Sequence, residues 1–127
     1  MREIKFRAWC VEYKEMIHNK RLTLCMEDGL VLMTTKKWME YRSFVKGDAV
    51  LMQYTGFKDK NGKKKIFEDD IVKQKMPSGD IYFGKVIFSQ GAFRIEEPYK
   101  IYCKELIGGL AEVLGNIYIN PKMLEDK

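Results

Sequence analysis

The 127-residue sequence predicts a mainly β protein, built as a small barrel or sandwich. Apolar and polar residues alternate with a period of two along much of the chain, which is typical of strands with one buried face. Gly-rich turns separate these segments at intervals of roughly ten residues. With 46% hydrophobic residues, the chain has the usual size and core of one domain. We therefore expect a single domain over residues 1–127. An N-terminal β-hairpin region in 1–50 should pack on a small, partly open, barrel-like β region in 51–127.

The N-terminal region begins with a predicted strand. Ile4, Phe6 and Ala8 alternate with charged residues, which predicts one buried face. Residues 22–26 and 30–34 are then two apolar segments joined by a short loop that ends in glycine. This arrangement predicts a β-hairpin.

The segment 36–46 does not predict one structure. Trp38, Tyr41 and Val45 have a helix-like spacing, and a short helix and an irregular strand fit it equally well.

Turn signals become regular in the second half. A strand over residues 50–54 precedes Asn61-Gly62, a pair favoured in type I′ hairpin turns. Residues 76–80 predict the next turn. Gly84 then interrupts a strand, which indicates a bulge or a sharp bend.

The C-terminal segment predicts a last strand and a helical turn. Alternate residues from 111 to 119 are apolar or small and share one face. Asn120 is then a predicted N-cap and Pro121 a first helical position, for a short turn that extends to Leu124. One or two short helices are therefore expected in the whole chain.

Charge and cysteine content limit the class of protein. Lys and Arg total 23 and Asp and Glu total 18, so the net charge is +5. Such a balance favours anionic partners, although it also simply keeps a small domain soluble. The three cysteines form no CxxC motif and fit a reducing compartment. Neither a signal peptide nor a membrane span is expected.

Catalytic and metal-binding motifs are not evident. His18 has no partner suggested by spacing, and Walker A, GxGxxG, GxSxG and HExxH patterns do not occur. Neighbours in Glu68-Asp69-Asp70 point to opposite faces if they lie on a strand, which disfavours a magnesium site. We therefore expect no cofactor, no metal and no recognisable catalytic residue.

Two basic segments are candidate nucleic-acid-binding sites. The candidate lysines are Lys36, Lys37, Lys58, Lys60, Lys63, Lys64 and Lys65. Small β-barrels bind single strands with a basic groove and exposed aromatic side chains, here Trp38, Tyr41 and Phe44. The same aromatic residues suit a core, and lysines on a hairpin also protect strand edges from pairing.

Three segments resemble the YopX family. They are MREIKFRAW at the N-terminus, QYTGFKDKNGKKKIFEDDIV at 53–72, and EVLGNIYINPKML at 112–124. The family pattern for the central segment is Q-Y/F-T-G-L/F-x-D-x-x-G, followed by a strand and E-G-D. The resemblance implies a mainly β protein of phages and prophages, mostly of Gram-positive bacteria, with an SH3-like barrel after the QYTG segment. It supplies no known biochemical function and no catalytic residues.

Most residues of this signature are of types that turns require, so we expect the signature to specify a fold rather than a site. Its members here are Tyr54, Thr55, Gly56, Asp59, Gly62, Glu68, Asp70, Gly115, Asn116 and Pro121. Asp59 is well placed to bind backbone amides of its own loop.

The sequence departs from the family pattern at two places. Asp69 stands where the pattern has glycine, which predicts a turn or bulge with a left-handed backbone, since Asp tolerates that region. The lysine run 63–65 is one residue longer than the family hairpin. This predicts a bulge near Lys64, which would preserve the register.

Together these features favour a non-catalytic protein-interaction or assembly module in the cytoplasm of a bacterial host cell. The favoured partner is a protein or a second copy of the chain, with no membrane involved. A basic β-barrel that binds nucleic acid is the alternative, and an enzyme without a recognisable motif is the third hypothesis.

Overall fold

The computed structural model describes residues 4–11, 13–18, 22–25, 30–34, 41–44, 49–98, 100 and 102–125. Residues 4–53 form one compact unit, the N-terminal unit, and residues 54–127 belong to a second, the C-terminal unit. Within the described ranges the chain is mainly β, as the sequence predicts. The single domain over 1–127 stays a prediction.

The strands are all paired antiparallel. In chain order they are β1 (Phe6–Cys10), β2 (Glu15–Ile17), β3 (Leu22–Cys25), β4 (Leu30–Thr34), β5 (Tyr41–Phe44), β6 (Ala49–Lys58), β7 (Lys65–Phe67), β8 (Asp70–Lys75), β9 (Ile81–Ser89), β10 (Ala92–Glu96), β11 (Lys104–Glu105) and β12 (Ala111–Asn116). A 3₁₀ turn, Gly108–Leu110, precedes β12, and the short helix α1 spans Lys122–Glu125.

In the N-terminal unit, β1 pairs with β2 on one edge and with residues 49–53 of β6 on the other. Ala8 and Cys10 are buried, as the alternation predicts. The expectation of a single buried face is nevertheless wrong, because Arg7 between them is only 7% exposed and Ile4 is 69% exposed. Both faces of β1 therefore carry a buried side chain.

The predicted hairpin in this unit is confirmed by the pairing of β3 with β4, and β5 extends it to a three-stranded sheet. Of the two alternatives for 36–46, the structure supports the strand at residues 41–44. Residues 36–40, with Lys36, Lys37 and Trp38, lie outside the described residues.

The C-terminal unit is built around a five-stranded sheet in the order β11-β10-β9-β8-β12. Strands β8 to β11 follow one another as neighbours, and β12 returns to the free edge of β8. One face of this sheet buries the core of the unit. Its fully or almost fully buried apolar residues are Ile66, Val72, Val86, Ile95, Leu106 and Ala111.

One turn of the C-terminal unit differs in type from what the sequence predicts. Gly62 has φ 70°, but Asn61 keeps a negative φ, so the type I′ prediction at this pair is wrong. A type I′ turn needs a positive φ at both central residues. Gln90 and Gly91 meet that requirement between β9 and β10, with φ 53° and 79°. The predicted turn at 76–80 is confirmed by the bond from the Met76 N–H to the Asp80 carbonyl, 2.8 Å.

The predicted bulge near Lys64 is wrong, since the irregularity lies on the opposite strand. Between the pairs Tyr54–Phe67 and Lys58–Lys65, residues 55–57 of β6 face Ile66 alone. Gly56 has φ 90° there, a conformation that glycine adopts at little cost. The Thr55 hydroxyl holds the bulge, because it donates to the Ile66 carbonyl at 2.7 Å and accepts from the Phe57 N–H at 3.1 Å.

Gly84 has a different role from the predicted bulge. The register of β8 and β9 continues through the pair Val72–Gly84 without a shift. A Cβ at Gly84 would lie 2.2 Å from the carbonyl oxygen of Glu96, so glycine is required by the close approach of two backbones.

The last strand is shorter than predicted. β12 ends at Asn116, and its register shifts between Val113 and Gly115. The Asn116 side-chain oxygen accepts the backbone N–H groups of Tyr118, at 3.0 Å, and Ile119, at 2.9 Å. These bonds turn the chain away from the ladder, because a short polar side chain competes with strand pairing for the same amides. The predicted helical turn follows as α1, which begins at Lys122.

The left-handed backbone predicted for Asp69 is confirmed by its φ of 67°. Its N–H donates to the Val86 carbonyl at 2.8 Å, and its carbonyl accepts the Ile117 N–H at 3.1 Å. Its carboxylate accepts the Tyr118 hydroxyl at 2.8 Å. Asp69 therefore joins three segments of the C-terminal unit, and its side chain makes a contact that glycine lacks.

This network predicts a coupling between Asp69 and Tyr118. Asp69→Ala should lower the free energy of unfolding by about 2 kcal/mol, since it loses the hydroxyl bond and places alanine in the left-handed region. Asp69→Gly should remain within about 1 kcal/mol of the wild type, because relief of the backbone offsets the lost bond. Urea unfolding measures both values.

Tyr118→Phe provides the matching half of a double-mutant cycle. We expect it to cost about 1 kcal/mol in the wild type and clearly less in the Asp69→Gly background. An equal loss in both backgrounds would show that the hydroxyl contributes nothing through Asp69.

Candidate interaction surface

The loop between β6 and β7, residues 59–64, is the hairpin tip, and it folds around one carboxylate. Asp59 is only 6% exposed, and its Oδ1 accepts the N–H groups of Asn61 at 3.2 Å, Lys63 at 3.2 Å and Lys64 at 3.3 Å. The Asp59 N–H donates to the Lys64 carbonyl at 2.8 Å. Four N–H groups of the tip, those of Asp59, Asn61, Lys63 and Lys64, are thus bonded within the tip itself. Exposed on its outside are the side chains of Lys60, Lys63 and Lys64.

Lys60 attaches this tip to β12 twice. Its N–H donates to the Ala111 carbonyl at 2.7 Å. Its Nζ lies 3.0 Å from Oε2 of Glu112, and both side chains are partly exposed, at 47% and 40%. The backbone bond fixes the position of the residue, whereas the exposed ion pair contributes about 0–1 kcal/mol and exchanges easily.

The remaining candidate lysines of this hairpin form a like-charged pair. Lys58 and Lys65 are direct cross-strand partners in β6 and β7. Two positive charges in this position repel each other, and a nearby anion relieves the repulsion. The Lys65 Nζ also lies 5.8 Å from the centre of the Tyr54 ring. The structure therefore gathers all five candidate lysines of 56–65 on one hairpin, while Tyr41 and Phe44 lie in β5 of the N-terminal unit.

Several signature residues make contacts that hold turns and close approaches. Asp70 is buried and accepts the Phe67 N–H at 2.8 Å. A Cβ at Gly115 would lie 2.3 Å from Oδ1 of Asn120. The signature residues in the turns and strands described above are Tyr54, Thr55, Gly56, Asp59, Gly62 and Asn116. Glu68 and Pro121 also lie in turns.

A cleft of about 460 Å³ lies beside the hairpin tip, and we call it the basic cleft. Its lining residues are Lys60, Lys73, Lys75, Met76, Pro77, Gly109, Leu110 and Glu112. Two of these lysines, Lys73 and Lys75, were not among the candidates of the sequence analysis. The period-two alternation along β8 carries the signal, because it places both on the face opposite the buried Val72 and Gln74.

A buried amide on β8 positions the far wall of the cleft. The Gln74 side chain is fully buried, and its Nε2 donates to the Glu105 carbonyl at 2.9 Å while its Oε1 accepts the Ile107 N–H at 2.8 Å. These bonds hold residues 105–107 against β8, so the 3₁₀ turn that follows brings Gly109 and Leu110 to the cleft.

Gly108 allows this turn to approach β6 closely. A Cβ at Gly108 would lie 2.7 Å from Cβ of Phe57 and 2.9 Å from the carbonyl oxygen of Lys58. The cleft wall is therefore in contact with the strand that carries the basic hairpin, and the two basic features belong to one surface of the C-terminal unit.

Other kinds of site were sought over the same ranges. No group of three or more His, Cys, Asp and Glu side chains able to hold a metal ion occurs among the described residues. In that part of the chain, no helical segment has the length and apolar character that crossing a membrane requires.

Comparison with protein-family models gives a match to the YopX protein family over residues 5–125. The chain belongs to the YopX family. It is similar to the crystal structure of protein EF1440 from Enterococcus faecalis, with 26% sequence identity, a TM-score of 0.63, and coverage of 98% of this chain and 99% of that one. Protein yopX from Bacillus subtilis has a similar fold, with 22% identity, a TM-score of 0.63, and coverage of 94% and 95%. Comparison with curated proteins gives no match.

The family resemblance of the three sequence segments is thereby confirmed. The SH3-like character of the barrel and a phage origin stay predictions for this YopX-family protein.

The tip geometry predicts that Asp59 is essential to the shape of the hairpin. Asp59→Ala should lower the free energy of unfolding by about 2 kcal/mol, because three amides lose a charged acceptor. It should also speed hydrogen exchange at the amides of Asn61, Lys63 and Lys64. Asp59→Asn keeps one oxygen acceptor, so we expect about half of that loss.

Asp80→Ala is a matched control in another turn, since the Asp80 carboxylate accepts only an exposed hydroxyl bond from Ser78, at 3.1 Å. We expect it to change stability by less than about 0.5 kcal/mol. Equal effects of Asp59→Ala and Asp80→Ala would contradict the role assigned to Asp59.

Proposed function

We propose that this YopX-family protein is a non-catalytic protein-interaction module, encoded by a phage or prophage and active in the cytoplasm of the bacterial host. It binds its protein partner through the hairpin tip and the basic cleft. The observation that carries the proposal is the hairpin tip, whose backbone is bonded internally by Asp59 while its lysines are exposed.

Preorganisation supports this proposal. Ordering a loop at the moment of binding consumes part of the binding free energy, and a loop that is already ordered avoids this loss. The tip is held by Asp59 from inside and by the bond from the Lys60 N–H to the Ala111 carbonyl. The lysines are thus presented on a defined frame, which is what charge-complementary recognition of a protein surface needs.

The composition of the surface supports a protein partner in particular. Apolar side chains of Met76, Pro77 and Leu110 lie in the cleft among the lysines. Protein interfaces combine such apolar contacts with a polar rim that excludes wrong partners.

Capture from a Bacillus subtilis lysate tests the proposal, with the lysate treated with nuclease so that nucleic acid cannot bridge. We expect the tagged wild-type chain to capture a defined protein partner. The Lys63→Glu/Lys64→Glu variant should capture at least about ten-fold less of that partner. The control Lys14→Glu/Lys122→Glu changes the net charge equally at exposed positions elsewhere, and it should retain the partner.

Loss of the partner in both double variants would indicate a general charge effect and contradict the proposed site. Retention in both variants would contradict it as well. Light scattering on the purified chain establishes whether the partner is a second copy of the protein.

Nucleic-acid binding is the second candidate function, and a specific observation favours it. Lys58 and Lys65 are cross-strand partners, and Phe57, which precedes Lys58 in β6, is 44% exposed. Cations along a backbone path with an exposed ring are the elements that single-strand binding uses.

Fluorescence anisotropy with labelled single-stranded and double-stranded oligonucleotides tests this candidate. A nucleic-acid binder should lose affinity steeply with salt, and charge reversal at Lys63, Lys64 and Lys65 should reduce the single-strand log–log salt slope by about 2. Absence of binding at low salt would remove nucleic acid as the ligand.

A further inference from the structure

We infer that the basic cleft binds a short acidic segment of a partner polypeptide, and that the chain's own Glu112 occupies part of this site until the partner replaces it. This inference rests on the proposed function and adds the chemistry of the ligand and an internal competitor. It differs from the hairpin tip as a site, because it depends on Lys73 and Lys75 of β8.

The charges of the cleft select an anionic ligand. Three lysines and a single glutamate line it, so the lining carries a net charge of +2. Glu112 is the direct cross-strand partner of Lys73, and its Oε2 lies 3.0 Å from the Nζ of Lys60. The Glu112 carboxylate thus contacts Lys60 in a cleft that Lys73 and Lys75 also line.

Glu112 shows where a ligand carboxylate fits. Its carboxylate lies 3.0 Å from the Lys60 Nζ, at the position that a carboxylate of the partner would take. Because the pair is exposed on both sides, it is worth little in water and gives way to a ligand that also contacts Lys73 and Lys75. Glu112 therefore raises the selectivity of the cleft, since only a ligand with more than one carboxylate gains by displacing it.

The apolar part of the cleft selects a polypeptide over a nucleic acid. Met76, Pro77 and Leu110 provide aliphatic surface, and none of the described residues that line the cleft is aromatic. Single-stranded nucleic acid is held largely by stacking of bases on aromatic rings, which this lining does not offer. A volume of about 460 Å³ falls within the range of small-ligand sites and accepts a few side chains of a peptide.

The cleft is preformed because each wall is fixed by a bond outside it. Gln74 holds residues 105–107 against β8 from the buried side. The Lys60 N–H is bonded to the Ala111 carbonyl, and the Met76 N–H to the Asp80 carbonyl. Binding then requires little more than the exchange of one carboxylate for another.

Anisotropy with a fluorescein-labelled peptide that repeats Glu-Glu-Leu tests the inference on the full chain, with the Gln-Gln-Leu repeat as the uncharged control. We expect the acidic peptide to bind at low salt and the uncharged control peptide not to bind. Lys73→Glu/Lys75→Glu should weaken it about ten-fold or more, while Lys14→Glu/Lys122→Glu should leave the affinity almost unchanged.

Glu112→Gln is the decisive variant, because it removes the competing charge and keeps the shape of the side chain. It should tighten peptide binding by up to about five-fold. A role of Glu112 as a direct ligand contact would instead weaken binding, so the sign of the change separates the two roles. Circular dichroism confirms that each variant is folded.

The remaining outcomes overturn the inference in distinct ways. No binding of the acidic peptide to the wild-type chain removes it. Tighter, Lys73- and Lys75-dependent binding of an oligonucleotide of the same charge assigns the cleft to nucleic acid. Peptide binding that depends on Lys63 and Lys64 but not on Lys73 and Lys75 overturns the inference about the cleft and leaves the hairpin tip as the binding site of the proposed function. Failure of the proposed function would be detected in the capture experiment, as the absence of a retained protein partner.

Discussion

The side-chain amide of Gln74 is the interaction on which the C-terminal unit depends most. It is fully buried on β8, and a buried amide that lacks partners costs about 1–3 kcal/mol for each unpaired group. Its oxygen and its nitrogen are both bonded to the segment 105–107, so the chain between β11 and β12 is drawn onto β8. The core closes on this side of the strand. The same constraint places Lys73 and Lys75 on the opposite face, next to the wall that Gln74 holds.

Carboxylate and amide oxygens repeat this principle at the turns. Asp59 collects three amides of the hairpin tip, Asp70 accepts one at the start of β8, and Asn116 accepts two where β12 ends. Asp69 adds a side-chain contact to Tyr118 at a position where the family pattern has glycine. These side chains are directed to the backbone of their own unit. Their polar atoms therefore determine the course of the chain, while the lysines of the hairpin tip are exposed.

The sequence predicts well what depends on neighbouring residues and poorly what depends on distant ones. The hairpin of β3 and β4 and the turn at 76–80 follow from local alternation and turn composition, and the φ of Asp69 follows from its replacement of glycine. The bulge lies on β6 and not near Lys64 as predicted, because its position depends on the bond from Thr55 to Ile66 across the ladder. Lys73 and Lys75 alternate with buried residues along β8, a pattern that any strand with one exposed face has. They become part of a site only where Lys60 and the 3₁₀ turn meet them.

The bonds that hold the hairpin tip and the charges on its surface belong to different side chains. In the central segment of the family pattern, Asp59 and Gly62 occupy specified positions, whereas Lys58, Lys60, Lys63 and Lys64 occupy positions that the pattern leaves open. The TM-score of 0.63 at 26% identity to the Enterococcus faecalis protein shows that the fold tolerates extensive change in sequence. Charge at the open positions can thus vary without loss of a turn contact.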